Sequence, residues 1–222
     1  MCGRFALYDS LTELALQFNA RVSEDGLWEW DPNYNISPGM VIPVIAWDGK
    51  RRRKIVPMRW GLHPHWRKEP PQGRPLFNAR VETAAEKASF RTPFRRRRAL
   101  IPLNGWYEWA RDAKPKIPYY IRETHRQAFA FAALWDQWRV DEGVSLLSAT
   151  ILTQDAPDDI FHIHHRAGVR LPESQWDNWL NWDIKADKIL DAKKNGDDLE
   201  YYEVDDVVNS GGAQGPDLIL PA

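Results

Sequence analysis

Residues 99–109, ALIPLNGWYEW, hold two β-rich runs, Ala99–Ile101 and Trp106–Trp109, and the same texture returns at Tyr119–Ile121, at Phe129–Leu134 (FAFAAL) and at Ser145–Leu152 (SLLSATIL). Short runs of this kind at hairpin spacing imply an antiparallel sheet. Helices do not alternate with these strands and no Gly-rich phosphate loop appears, which argues against a parallel nucleotide-binding fold. Working outward toward the amino terminus, Val41–Trp47 and Ile55–Trp60 read as two more strands joined by a turn at Asp48-Gly49, with Arg51–Lys54 starting the second. Ser10–Phe18 reads as a short helix, because Ser10 and Glu13 have capping-box spacing and Leu11, Leu14 and Phe18 share one face. Trp28–Gly39 (WEWDPNYNISPG) is dense in turn formers and reads as an ordered loop. Trp60–Trp66 (WGLHPHW) leads into a Pro- and Gly-rich loop ending near Pro75, long enough to be functional. Phe77–Arg80 then precedes a second capped helix, with Thr83 and Glu86 again at capping-box spacing.

In the other direction, Val169–Leu171 is followed by a helix from Pro172 that carries Trp176, Trp179 and Leu180 inward. A further helix is expected around Asp187–Ala192, and the tail from Tyr201 to Ala222 is expected to lie along the body through Val204, Val207, Leu218 and Ile219. There is no internal repeat. The whole reads as one α+β domain over residues 1–222, with a mainly antiparallel, barrel-like sheet flanked by several helices.

A chain of 222 residues can bury a substantial core. Its one cysteine permits no internal disulfide, and it shows no apolar signal region and no long apolar run. It therefore reads as a soluble, cytoplasmic protein without a membrane segment. The net charge of -1 is unevenly spread: Arg74–Arg98 carries +6 and Asp183–Asp206 carries -5. A polyanion would be attracted to one part of the surface and repelled from another. Twelve tryptophans serve mainly as core, with the remaining rings available to stack on bases.

The single cysteine stands directly behind Met1, so loss of Met1 would leave a 1,2-aminothiol. Its amine titrates near ~7.7–8.0 and its thiol near ~8.5, so both are partly reactive at neutral pH. Such a pair captures an aldehyde first as an imine and then, through sulfur, as a five-membered thiazolidine. The alternative is that Cys2 is a buried small hydrophobe in a first strand.

Six patches then occur in order: MCGRF at 1–5, YNISP at 34–38, WGLHPHW at 60–66, FNARVET at 77–83 with SFR at 89–91, RRALIPLNGWYEW at 97–109, and HIHHR at 162–166. Together they resemble the SRAP family, the SOS response-associated peptidase proteins that recognise abasic sites in single-stranded DNA. The likeness is strong over 1–171, with echoes at Tyr201–Val208 and Pro216–Pro221 in the helical and extended part, 172–222. It implies that Cys2, freed of Met1, traps the ring-opened abasic sugar as a thiazolidine DNA-protein crosslink. Asn78, Glu108 and His164 would surround it, with Arg4, Arg80 and Arg91 on phosphates and Pro38 and Trp66 wedged against neighbouring bases. The partner implied is abasic single-stranded DNA, reached at the nucleoid during DNA damage by a protein read as a monomer.

Those residue types suit the chemistry. Opening the closed hemiacetal needs a proton donor near neutral pKa, a role for His164. A partly screened carboxyl group, Glu108, can move protons both ways in capture. Asn78 can donate to a sugar oxygen and accept from the amine. Each has an alternative: Glu108 as a strand residue facing water, His162 or His165 in place of His164, and Asn78 capping the turn before Thr83. Arg95–Arg98 reads as a solvated face or an electrostatic patch outside the core site. Ala167-Gly168 stands where the family usually has Met-Pro, so a looser histidine loop and slower ring opening are expected. His63 and His65 either touch DNA or face solvent.

Two rival functions share these residues. An amino-terminal-nucleophile peptidase would enlist Cys2, His164 and Asn78 against an acyl group, and a non-covalent binding module would use the arginines and tryptophans alone. A metal enzyme on His63, His65, His162 and His164 has only one cysteine and no ligand spacing behind it, so neither metal nor cofactor is expected.

Overall fold

The computed structural model describes residues 2–23, 28–124, 128–140, 143–190 and 198–222. Strand β1 (Phe5–Leu7) leads into helix α1 (Leu11–Gln17), and β2 (Arg21–Val22), β3 (Asn33–Ile36), β4 (Val41–Trp47), β5 (Arg53–Trp60) and β6 (Asn78–Arg80) follow. Two short helices, α2 (Val81–Ala84) and α3 (Arg91–Arg96), precede β7 (Arg98–Leu103), β8 (Gly105–Trp109), β9 (Pro118–Glu123), β10 (Phe129–Val140) and β11 (Val144–Asp155). Beyond them come α4 (Asp158–Phe161), β12 (Arg166–Gly168), β13 (Arg170–Leu171), α5 (Trp176–Leu180), α6 (Asp187–Leu190) and β14 (Leu199–Glu203). Short 3₁₀ turns lie at Glu173–Gln175, Asp206–Asn209 and Pro216–Ile219.

These strands form two sheets. A nine-stranded sheet runs β12-β11-β10-β7-β4-β5-β2, with β13 on β10 and β6 on β11, and a β11–β5 pairing closes it into a barrel. A five-stranded open sheet runs β14-β9-β8-β1-β3. Pairing is antiparallel except where β2 and β11 meet β5 and where β6 meets β11. The α+β, mainly antiparallel and barrel-like architecture is thus the one expected, but the hairpin spacing misleads at one step. β7 and β8 do not pair: the chain changes sheets at Asn104, because one residue is too short for a hairpin turn. Asn104 pins the switch, accepting from Tyr8 N at 2.8 Å and donating to Asp9 Oδ2 at 3.1 Å. The next residue must be glycine, since a Cβ at Gly105 would lie 2.4 Å from the Tyr120 ring.

The expected cap of α1 forms, with Ser10 Oγ accepting from Glu13 N and Glu13 Oε2 from Ser10 N. The second capping box does not. α2 starts at Val81 with no side-chain cap, Thr83 lies inside it, and Glu86 N only closes a turn on Thr83 O at 3.1 Å. Trp28–Gly39, read as loop, contributes β3 to the open sheet. Trp176, Trp179 and Leu180 are buried as expected, each full burial being worth roughly 1.5–3 kcal/mol. α6 is described to Leu190, and the remaining residues to Ala192 lie outside the described residues. Along the tail, Val204 and Leu218 are buried, but Val207 is 53% exposed and Val208 takes its place in the core. The Arg95–Arg98 run divides. Arg95 and Arg96 are exposed, Arg97 pairs with Asp136, and Arg98 is buried, donating to Ile184 O at 2.8 Å beneath the Trp179 ring. Among the described residues no helix is long and apolar enough to cross a membrane.

Candidate functional site

The amino terminus reaches the site through the open sheet. Phe5 pairs with Trp106 and Ala6 with Gly105, and Tyr107 N donates to Arg4 O at 2.9 Å, so residues 2–4 run alongside 107–109. Cys2 is thereby placed beside Glu108, whose charge acts on the thiol through space. Asn78 arrives from the barrel: β6 lies parallel to β11, and Asn78 Nδ2 donates to Cys2 O at 2.7 Å. Its Oδ1 is buried with no partner among the described residues, which leaves an acceptor beside the Cys2 backbone. His164 comes from the turn between α4 and β12, where His164 N donates to Ile160 O at 3.1 Å.

Glu108 and His164 line one cleft of about 560 Å³ together with Trp109, Arg111, Pro115, Lys116 and Asn209. Burial pushes Glu108 up to about 7, so near neutrality it can both give and take a proton. His164 goes the other way. Burial lowers it to about 4, so at neutral pH it is an uncharged ring and a proton acceptor rather than the donor expected. Its Nδ1 lies 2.9 Å from Arg166 N and 3.0 Å from Arg166 O, so the backbone suits either tautomer. Arg166 is itself clamped, its guanidinium bonding both Glu82 oxygens, Asp155 and Thr153 O. That clamp ties α2 to the histidine turn. The looser loop expected from Ala167-Gly168 lacks a physical basis: both are buried in β12, and a Cβ at Gly168 would meet the Phe131 ring at 2.7 Å.

Cys2 is fully buried and belongs to the main apolar core, and burial raises its thiol well above the usual range. It does not lie in a strand, since β1 begins at Phe5. Met1 lies outside the described residues.

The SOS response associated peptidase (SRAP) family model matches residues 1–211. The chain belongs to the SRAP family. Abasic site processing protein YoqW of Bacillus subtilis is 38% identical over 99% of both chains. YedK of Escherichia coli, of the same description, is 27% identical over the whole of both. A crystal structure of a Bacteroides thetaiotaomicron protein superposes with a TM-score of 0.88 at 22% identity over the full length of both chains, which speaks to the fold.

In this SRAP chain the remaining expected residues differ in exposure. Arg80 and Arg91 are exposed, Trp66 is 52% exposed, and Pro38 is half-buried in the turn after β3. Arg4 is engaged internally, its Nη1 donating to Asn35 Oδ1 at 2.6 Å and Val208 O at 2.9 Å. It anchors the tail wall of the cleft. His63 is buried edge-on against Trp138, whereas His65 is exposed to solvent and bonds Asp136 through one ring nitrogen. His162 packs on Tyr201, and among the described residues the histidines form no cluster that could hold a metal. Sequence reading missed Trp109, Arg111, Lys116 and Asn209 as cleft residues. The basic segment 110–117 directly after WYEW was the available signal.

Proposed function

We propose that this chain processes abasic sites in single-stranded DNA by covalent capture through Cys2 after loss of Met1. The observation that carries it is Glu108, which lies beside the buried Cys2 that Asn78 holds and also lines, with His164, an open cleft. Relatives described as abasic site processing proteins, 38% identical across the chain, support the same substrate.

Neutral His164 takes the proton of the anomeric hydroxyl as the sugar ring opens, and Glu108 in its protonated form donates to the departing ring oxygen. The resulting carboxylate accepts a proton from the Cys2 ammonium. The freed amine adds to the aldehyde carbon, and the carbinolamine loses its hydroxyl as water, with Glu108 returning the proton. The sulfur then adds to the imine carbon while the thiol proton passes to nitrogen. One aldehyde and one aminothiol give one thiazolidine and one water. Asn78 holds the Cys2 carbonyl and so orients the amine.

The raised thiol favours this sequence over the peptidase reading. A cysteine peptidase needs a thiolate to strike first, whereas here the amine strikes first and the thiol closes the ring within one molecule. Incubation with an abasic single-stranded oligonucleotide tests the proposal: a heat-stable shifted band supports it. Peptide cleavage without such a band would support the peptidase instead.

A further inference from the structure

The cleft is larger than one sugar requires. At about 560 Å³ it is the size of pockets that hold drug-sized ligands, enough for the abasic residue together with an adjoining phosphate. Beside Glu108 and His164 its lining carries Arg111, Lys116 and Asn209, none of which belongs to the Arg74–Arg98 stretch. We propose that Arg111, Lys116 and Asn209 form a phosphodiester subsite that grips the phosphate next to the abasic sugar. This rests on the abasic-site reading above and adds to it a second hold on the DNA, inside the reactive cleft.

Three features prepare the wall for an anion. Trp109 Nε1 donates to Asn209 Oδ1 at 2.8 Å, which fixes the amide so that its NH₂ is the group left to donate. The backbone beside Asn209 is anchored in turn, because Val208 O accepts from Arg4 Nη1 and Asn35 Nδ2 bonds Ser210 O and Ala213 O. Arg111 is held at the cleft edge by its Nη1, 2.9 Å from His165 Nδ1, and the His165 ring stacks on His164 at 4.6 Å. A phosphate on Arg111 is therefore linked to the imidazole of His164 through the stacked ring of His165. Of the acidic groups nearby, Glu82 and Asp155 are both bonded by Arg166, and Glu108 in the cleft holds its proton up to about pH 7. A guanidinium fork, an ammonium and an amide NH₂ match the oxygens of a phosphodiester.

The test uses the full chain and abasic oligonucleotides in which the phosphate on the 5′ or the 3′ side of the lesion is an uncharged methylphosphonate. In the wild type, neutralising one of these two phosphates is expected to slow adduct formation about tenfold. Arg111→Gln with Lys116→Gln should slow the all-phosphate substrate by a similar factor and lose little more with that methylphosphonate. The ratio of the oligonucleotide rate to the rate with free 2-deoxyribose should fall about tenfold in the double variant. Losses that multiply, or a double variant slowed equally on free 2-deoxyribose, overturn the subsite. Equilibrium binding on a Cys2→Ala background reads it without chemistry: adding Lys116→Gln should flatten the salt dependence by about one phosphate contact, and an unchanged slope contradicts the proposal. Absence of any adduct in the wild type would count against the crosslinking reading alone.

Discussion

Two carboxylates are buried almost equally, Glu108 on β8 and Asp136 on β10, and the protein uses them in opposite ways. Asp136 is ringed by donors: His65 N at 3.0 Å, Gln137 N at 2.8 Å, His65 Nδ1 at 2.8 Å and the guanidinium of Arg97. It fixes the loop that presents Trp66. Glu108 instead borders an open cleft, and desolvation raises its proton affinity to near neutrality. A buried acid surrounded by cations is a fastener, and one raised by desolvation at a cleft is a proton carrier.

The contrast can be broken in several ways. The largest effect is expected from Cys2→Ala, which should abolish the covalent product while salt-sensitive binding to abasic DNA survives in a gel-shift assay. Next, Glu108→Gln should slow adduct formation by roughly 10²–10⁴, the usual span of general acid-base help, with the fold intact. Asp136→Asn should do the reverse, costing about 3–5 kcal/mol in denaturant unfolding but leaving the rate of the folded fraction unchanged. If the two variants exchange phenotypes, the assignment of roles is wrong.

A smaller effect follows from proton linkage. Glu108 titrates near 7 folded against an ordinary 4.5, so the folded state holds the proton more tightly. Its contribution to stability is fully present below pH 4.5 and is lost as pH rises through 7. Unfolding curves across that window should show the decline in the wild type and a shallower one in Glu108→Gln. Smallest is Trp66→Ala, expected to weaken binding to single-stranded DNA by about 1–3 kcal/mol without changing the rate at saturation.

Much of this was legible in the chain because it follows from local pattern. β4 matches the apolar run Val41–Trp47 residue for residue, and the α1 cap needs only Ser10 and Glu13. What local pattern cannot supply is the partner across space. β7 and β8 look like a hairpin until one sees that a single residue separates them, and Thr83 and Glu86 have capping spacing inside a segment whose helix begins earlier. The site was readable as residue types, but its electrostatics were not. His164 was expected to be the proton donor, and only the burial of each group shows that His164 is lowered while Glu108 is raised to about 7. Charge density misled in the same way: the dense Arg95–Arg98 run is half spent on Asp136 and on the segment after α5, while the sparse cations Arg111 and Lys116 line the cleft.

Intact mass of the purified protein, before and after incubation with abasic single-stranded DNA, tests the central claim most directly. A chain lacking Met1 should gain the mass of the oligonucleotide less one water, and Cys2→Ala should gain nothing. A chain that keeps Met1 and still forms the adduct, or an adduct that persists in Cys2→Ala, would contradict it.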